Sequence, residues 1–181
     1  MEKKEDRRIA MTKRMLKNAL TEMLKERDIY HVSIRELCER ADVNRTTFYK
    51  HYGSQFELLD DMETDLLDLT AKMIAEDTEN SGSSVEKILA FFEKDIEFVR
   101  LLINSNVDPE FPQKLFSLTV IKNSLKKRKP KNLKNENEYI NRFVLFGAYE
   151  LVKSWLNKDE RESPKEMAEI IVRLFALNFS E

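Results

Sequence analysis

The chain has 181 residues, 35% of them charged, and a formal net charge of −2 at pH 7. Its 3 glycines and 4 prolines are too few for a many-turned β fold, so the composition favours long helices. The single cysteine, Cys38, excludes an intrachain disulfide and a thiolate-rich metal site.

The N-terminal segment MEKKEDRRIA is charged and lacks the apolar core of a secretion signal. No uninterrupted apolar run approaches the roughly 18 residues that a membrane-spanning helix needs. We therefore expect a soluble cytoplasmic protein without a membrane partner.

Charge is distributed unevenly along the chain. Residues 1–52 contain 13 Lys+Arg and 9 Asp+Glu, whereas residues 53–181 contain 18 and 24. A basic N-terminal part suggests an anionic partner, although a mixed solvated surface explains so small an excess about as well.

The first forty residues have the pattern of two helices. Apolar residues recur at helical spacing between about residues 7 and 27, which predicts one amphipathic helix. Ser33 and Glu36 have the spacing of a capping box, and apolar residues from Ile34 to Ala41 predict a second helix of about two turns.

A third helix is predicted directly after a bend at Asp42 and Val43. Asn44 is a favoured N-terminal cap, and the helix should end before Gly53. Two short helices joined by a tight turn, after a longer supporting helix, form a helix-turn-helix pattern.

The third predicted helix has an outward arc of hydrogen-bond donors without an acid. With Phe48 facing the core, the outward, flanking and terminal residues are Arg45, Thr46, Thr47, Tyr49, Lys50 and His51. Phosphate oxygens accept hydrogen bonds from these groups, and base edges in the major groove pair with Thr, Arg and Lys. Each residue alone is more often structural, but together they predict contact with nucleic acid.

The span from about Arg8 to Leu59 includes ALTEMLKERDIYHVSIRELCERADVNRTTFYKHYGSQFELL and resembles the DNA-binding domain of the TetR family of bacterial transcriptional regulators. The resemblance implies an all-α homodimer. Residues 1–53 would form a three-helix helix-turn-helix DNA-binding domain, and residues 54–181 a helical ligand-sensing and dimerisation domain. It further implies a ligand-responsive repressor that binds double-stranded DNA at a palindromic operator.

The resemblance also implies roles for individual residues. It places Arg45, Thr46 and Thr47 at the start of the recognition helix, and Tyr49, Lys50 and His51 against the DNA backbone. Ser33 and Ile34, at the start of the preceding helix, would lie near phosphate, which suits an open helix N-terminus.

One residue departs from the family's pattern. Gln55 stands where the family usually has a lysine at the start of the fourth helix. One phosphate contact then loses its charge, so DNA affinity should be lower or depend more on Lys50 and on the N-terminal Arg7, Arg8 and Lys13.

The fourth helix, from Ser54 to about residue 77, is the expected link between DNA binding and sensing. Later apolar stripes predict helices at about residues 84–104, 109–128 and 136–157 and from Ser163 onwards. A penultimate helix ending in Trp and a Ser-Pro-x-Glu start to the last helix resemble one C-terminal subgroup of the same family.

The resemblance assigns the dimer interface to the last two helices. Their apolar residues cover more than one stripe, which indicates two partners for each helix. The candidate interface residues are Tyr149, Val152, Trp155, Ile171, Leu174 and Phe175.

A pocket for an unidentified small-molecule effector is implied by the family and only suggested by the residues. Candidate lining residues are Met62, Phe91, Phe92, Phe98, Phe116 and Phe143, although such a stripe is more often plain core. No cluster of His, Asp and Glu indicates a metal, and no pattern indicates a cofactor.

Residues 122–134, KNSLKKRKPKNLK, contain seven basic residues and no acid. A solvated helix end around Pro130 is the preferred interpretation, and contact with DNA or an acidic partner is the alternative.

Two other functions are weighed against a ligand-responsive repressor. The second domain could instead bind a protein partner, which would make the chain an adaptor or an activator. An enzyme using Cys38 and His31 is disfavoured, because Cys38 lies on the apolar stripe of its helix and no phosphate loop or nucleophile elbow is present.

Overall fold

The computed structural model describes residues 2–76, 83–104, 107–118 and 136–177. All regular secondary structure within these ranges is helical, which confirms the predicted all-α class. The helices are α1 (Glu2–Leu24), α2 (Ile34–Arg40), α3 (Arg45–Tyr49), α4 (Gln55–Glu76), α5 (Ser83–Lys94), α6 (Ile96–Ile103), α7 (Phe111–Ser117), α8 (Glu136–Leu156) and α9 (Pro164–Leu177), with a 3₁₀ turn at Ile29–His31. The basic run at 122–134 lies outside the described residues.

The chain divides into two compact units, Met1–Leu66 and Leu67–Glu181. The division falls inside α4, later than the domain boundary predicted after residue 53. The first turns of α4 belong to the first unit because Leu58, Leu59 and Met62 are buried and Asp61 pairs with Lys17 of α1.

In the first unit, α1 packs on α2, and α2 packs on α3. Its core consists of large apolar side chains that are fully withdrawn from solvent, namely Leu16, Leu20, Met23, Leu37, Phe48 and Leu58. Such burial is the main term that stabilises a small helical unit.

The turn between α2 and α3 is set by local polar groups. Ser33 Oγ accepts a hydrogen bond from the Glu36 N–H at 3.2 Å, and Asn44 Oδ1 accepts one from the Thr46 N–H at 2.8 Å. Both caps satisfy amides that have no partner within their own helix. The predicted helix-turn-helix is therefore present.

The second unit is built around contacts of α9 with α5 and α8, and of α6 with α5, α7 and α8. Ser163 and Glu166 form a complete capping box at the start of α9: the Ser163 N–H donates to the Glu166 carboxylate at 2.9 Å, and the Glu166 N–H donates to Ser163 Oγ at 3.3 Å. Trp155 Nε1 donates to the Glu162 carbonyl at 2.7 Å, which fixes the loop between α8 and α9.

Candidate nucleic-acid interface

The outward face of α3 is exposed as its helical period predicts. Arg45, Thr46, Tyr49 and Lys50 are exposed, and Thr47 and His51 are half-buried. Phe48 is fully buried and packs edge-on against Tyr49, with ring centroids 5.5 Å apart. Burial of one aromatic residue thus directs the donor-bearing side chains of α3 to solvent.

The cations of α3 differ in their partners from the arginines of α2 and of the loop that follows α1. Among the described residues, Arg45 and Lys50 have no carboxylate within ion-pair distance. In contrast, Arg27 pairs with Glu36 at 2.8 Å, and Arg35 pairs with Glu39 at 2.8 Å. An anionic ligand can therefore bind at α3 without displacing an internal acid.

A separate ion-pair network fixes α2 against the end of α1. Arg40 donates two hydrogen bonds of 2.9 Å to the Glu26 carboxylate, and Arg27 donates a third at 3.2 Å. These two guanidinium groups, Arg40 above all, lower the pKa of Glu26 to about 2. The carboxylate remains ionised at neutral pH, so the network is intact when DNA would bind.

The end of the recognition segment is tied to α4 by Tyr52. Its hydroxyl donates to Asp61 Oδ2 at 2.9 Å, and Asp61 also accepts from Lys17 Nζ at 2.7 Å. Lys17 in turn lies 2.6 Å from Asp65. Burial alone would raise the pKa of Asp61, but the hydrogen bonds from Lys17 and Tyr52 outweigh it and leave that pKa lowered.

Lys13 is part of the same cluster rather than a free cation. Its ammonium group lies 5.3 Å from the centre of the Tyr52 ring and 3.5 Å from Asp61. Its charge therefore has two partners within the first unit, and the expectation that DNA affinity depends more on Lys13, Arg7 and Arg8 stays a prediction. Sequence spacing gave no signal for this cluster, since its members are far apart in the chain.

The residues at the start of α2 and α4 that were considered for DNA contact differ in their exposure to solvent. Ser33 is exposed, whereas Ile34 and Gln55 are half-buried. The DNA-contacting roles of these residues, and of those on α3, stay predictions.

The six candidate effector residues are divided between the two units, and their role in lining a pocket stays a prediction. Met62 is buried in the first unit, while the other five belong to the second. Phe92 and Phe98 are buried, and Phe91 and Phe116 are half-buried. Phe143 is 68% exposed on α8, because it points away from the core.

Three of the candidate interface residues belong to the core of their own chain. Tyr149, Trp155 and Ile171 are buried, and Tyr149 donates a hydrogen bond to the Ile103 carbonyl. Val152 is half-buried and Leu174 is 40% exposed, so both remain available for contact. The side chain of Phe175 lies outside the described residues.

Different residues of α8 and α9 form an exposed apolar face, which we call the α8–α9 face. It consists of Tyr139, Phe143, Phe146, Ile170 and Leu174. A cavity of about 380 Å³ opens on it, lined by Phe143, Val144, Gly147, Ala148, Glu150, Leu151 and Leu174. Which residues of α8 and α9 form a dimer interface stays a prediction.

Neither of the residues considered for catalysis has the setting of a nucleophile and its base. Burial raises the pKa of the Cys38 thiol, which disfavours the reactive thiolate. His31 lies in the exposed 3₁₀ turn, with Nδ1 3.7 Å from Asp28 Oδ2. Within the described ranges, no group of three or more His, Cys, Asp or Glu side chains could hold a metal ion.

No helix in the described part of the chain is both long enough and apolar enough to span a membrane.

Two family models match most of the chain. Residues 18–62 match a model described as bacterial regulatory proteins, tetR family. Residues 79–176 match one described as a transcriptional regulator C-terminal region.

Individual relatives are more distant. The uncharacterized HTH-type transcriptional regulator YxbF of Bacillus subtilis (strain 168) is 24% identical over 168 residues, which are 88% of this chain and 43% of that relative. The chain thus spans less than half the length of the curated relative that it matches.

Solved structures share the fold at low identity. A TetR transcriptional regulator from Streptococcus agalactiae 2603V is 22% identical, with a TM-score of 0.66 over 96% of this chain and 98% of that one. A transcriptional regulator from Aquifex aeolicus VF5 is 19% identical, with a TM-score of 0.71 over 93% and 99%.

Proposed function

The chain belongs to the TetR family of bacterial regulatory proteins, and we propose that it is a DNA-binding transcriptional regulator that binds a palindromic operator as a homodimer. We further propose that it acts as a repressor whose operator affinity falls when a small molecule binds its second unit. A ligand can produce this effect only if it prefers one conformation of the dimer over the other.

The charge distribution of the first unit carries this proposal. Arg45 and Lys50 are exposed at the two ends of α3, and no described carboxylate neutralises them. The cations Arg27 and Arg40, near the end of α1 and on α2, are already paired with Glu36 and Glu26. Arg45 and Lys50 thus place unpaired positive charge on the face that also presents threonine hydroxyls, as a DNA-reading helix requires.

Two kinds of contact are assigned to this face. Arg45 and Thr46 lie at the start of α3, where a recognition helix presents side chains to base edges in the major groove. Tyr49, Lys50 and His51 lie at its end and are assigned to phosphates. Backbone contacts would supply most of the affinity, so binding should fall steeply as salt concentration rises.

The exposed α8–α9 face supports a homodimer. Isolated surface apolar residues are ordinary, but Tyr139, Phe143 and Phe146 form a continuous stripe on α8, and Ile170 and Leu174 extend it on α9. A two-fold dimer uses the same patch on both subunits, so this face can pack against its own copy, and such a dimer presents its two recognition helices to a palindrome.

We place the effector site in the second unit, where Phe91 and Phe116 are half-buried and provide apolar contact surface. Phe116 also packs against Phe146 and Tyr149, with ring centroids 5.1 and 5.7 Å apart. A ligand that separates these rings would disturb α8, and through it the α8–α9 face.

Selection of the purified protein on a random duplex library, followed by sequencing of the bound pool, tests the DNA-binding proposal. We expect enrichment of an inverted repeat, because two copies of α3 related by a two-fold axis read two half-sites. Absence of enrichment with a folded protein would contradict it and would favour an adaptor that needs a protein partner for DNA binding.

Two substitutions separate backbone contact from base reading. Lys50→Ala should weaken binding to all duplexes alike and reduce the salt slope by about 1, whereas Thr46→Ala should change preference at particular base pairs. Fluorescence anisotropy against the selected duplex and its single-base variants measures both. Lys25→Ala is the matched control, because Lys25 pairs with Glu22 at 2.8 Å and lies outside α3. If both variants bind every duplex as the parent does, the assignment of α3 is wrong.

A further inference from the structure

Two exposed aromatic side chains contact each other on the first unit, outside the α3 surface. Tyr30 lies in the 3₁₀ turn and is 80% exposed, and Phe56 lies in the first turn of α4 and is 41% exposed. Their ring centroids are 5.3 Å apart and their planes are inclined at 60°. Neither residue contributes to the core of the unit.

The contact brings together two parts of the chain that the proposed interface already uses. Tyr30 precedes Ser33 by three residues, and Phe56 directly follows Gln55. Ser33 is a proposed phosphate neighbour, and Gln55 occupies the position where the family usually has a lysine. The aromatic pair therefore lies between two positions at which a DNA backbone is expected.

The Tyr30 hydroxyl is free to bind a ligand. Among the residues that the structure describes, it has no hydrogen-bond partner. Of the acids near it in the sequence, the Glu57 carboxylate accepts from the Gly53 N–H at 2.7 Å, and Asp28 Oδ2 lies 3.7 Å from His31 Nδ1. A phenol donates a hydrogen bond to phosphate as readily as other neutral donors do.

The partner ring gives the phenol a defined position. A side chain held by an aromatic neighbour loses less conformational freedom on binding than an isolated exposed one. Phe56 itself is held on α4, whose Ser54 Oγ accepts from the Glu57 N–H at 3.2 Å. The contact with the Phe56 ring therefore restricts the positions that the Tyr30 hydroxyl group can occupy.

We propose that Tyr30 is a further DNA-contacting residue, whose hydroxyl donates a hydrogen bond to a backbone phosphate, and that Phe56 is its positioning residue. The inference rests on the proposed function, because it needs DNA to lie against the α3 surface. The Tyr30 hydroxyl group, a neutral donor, would then supply part of the phosphate contact that a lysine at position 55 makes in the family's usual pattern.

Tyr30→Phe is the decisive variant because it removes the hydroxyl group alone. Operator affinity should fall about threefold to tenfold, as expected for one lost hydrogen bond. The salt slope should stay that of the parent, since a neutral phenol releases no counterion, whereas Lys50→Ala should lower it by about 1. Anisotropy titrations at several salt concentrations measure both quantities.

Phe56→Ala tests the positioning role. It should weaken binding to a similar extent, and its effect should not add to that of Tyr30→Phe in the double variant, because both act through one hydroxyl group. Ser117→Ala is the control for loss of an exposed hydroxyl group, since Ser117 lies on α7 of the second unit and outside the α8–α9 face. Thermal melting followed by circular dichroism confirms that each variant is folded.

The outcomes separate this inference from the proposed function. Parent-like affinity of Tyr30→Phe, together with weakened binding by Lys50→Ala, overturns the role of Tyr30 and leaves DNA binding by α3 in place. A lowered salt slope in Tyr30→Phe also overturns it, because a neutral contact cannot cause one. Parent-like binding by both variants overturns the role of Tyr30 and the assignment of Lys50 to a phosphate.

Discussion

Single residues set the geometry of the turn that presents α3. Asp42 has φ 51°, in the left-handed region, where a residue with a Cβ pays about 1–2 kcal/mol and Asp or Asn is tolerated better than most. Two residues later, Asn44 caps α3 through the Thr46 N–H at 2.8 Å. Asp42 adopts a backbone conformation that glycine adopts more often, and the Asn44 side chain supplies the acceptor that the Thr46 N–H lacks within α3. Both residues could be recognised from sequence, the first as a turn residue and the second as a cap.

A prediction at the same scale concerns the departure at Gln55. Gln55→Lys should strengthen operator binding by about 0.5–1 kcal/mol, the range of an exposed ion pair, because it restores a cation at the first residue of α4. The salt slope should become steeper by about 1. Anisotropy titration measures both, with Gln113→Lys on the exposed side of α7 as a control of equal charge. An unchanged slope would show that position 55 lies away from phosphate.

At the scale of elements, the first turns of α4 are joined to the DNA-reading segment by polar contacts. Asp61 accepts hydrogen bonds from Tyr52, which follows α3, and from Lys17 of α1. Lys13 and Asp65 complete the cluster. A movement of α4 relative to α1 must break these contacts or carry the recognition segment with it, which makes the cluster a point where sensing can act on DNA binding.

Replacing Asp61 by asparagine tests the strength of this cluster. Asp61→Asn should lower the free energy of unfolding at pH 7 by about 1 kcal/mol, because Lys17 and Lys13 lose their shared carboxylate. The folded-state pKa of Asp61 is lowered, so its stabilising contribution is present above the unfolded-state pKa and is lost as pH falls through the folded-state value.

The difference between parent and variant should therefore begin to shrink as pH falls below about 4, the ordinary pKa of aspartate, and should vanish only below the lowered folded-state pKa of Asp61. Urea unfolding at a series of pH values measures it. Asp65→Asn is the matched control, since Asp65 is more exposed and contacts only Lys17 within the cluster. A stability difference that is independent of pH would contradict a charge-based role for Asp61.

At the scale of the whole molecule, the proposed homodimer depends on the α8–α9 face. Gly147 lines the cavity that opens on this face, and an added Cβ would meet no atom within 4 Å. Nothing within the described chain requires glycine at this position, although glycine inside a helix costs about 1 kcal/mol relative to alanine. The proposed dimer gives a reason for a small residue there, since it lets a second copy approach closely.

Substitution of Gly147 provides the corresponding prediction. Gly147→Leu should convert the dimer to a folded monomer, because the larger side chain fills space that the partner helix needs. Gly147→Ala, the small control, should raise the free energy of unfolding of the subunit by about 0.5–1 kcal/mol. Size-exclusion chromatography with light scattering measures mass, and circular dichroism measures folding. A Gly147→Leu protein that remains dimeric, or a monomeric parent, would contradict the proposed interface.

Much of this protein follows from its sequence by local rules. Helical periodicity, the caps at Ser33, Asn44 and Ser163, and the scarcity of glycine determined the all-α class and the helix-turn-helix. The outward face of α3 was also predictable, because a helix only a few residues long has one buried direction, and Phe48 occupies it.

Only the tertiary structure decided whether each apolar stripe is buried in the chain's own core or exposed, and which carboxylate each cation pairs with. Periodicity shows that Tyr149, Trp155 and Ile171 are apolar positions of α8 and α9, but burial assigns them to the chain's own core and leaves Phe143, Phe146 and others exposed. The pairing of Lys13 and Lys17 with Asp61 likewise joins residues that are distant in sequence. Such contacts depend on how the helices pack, and packing is a property of the whole chain that no local pattern contains.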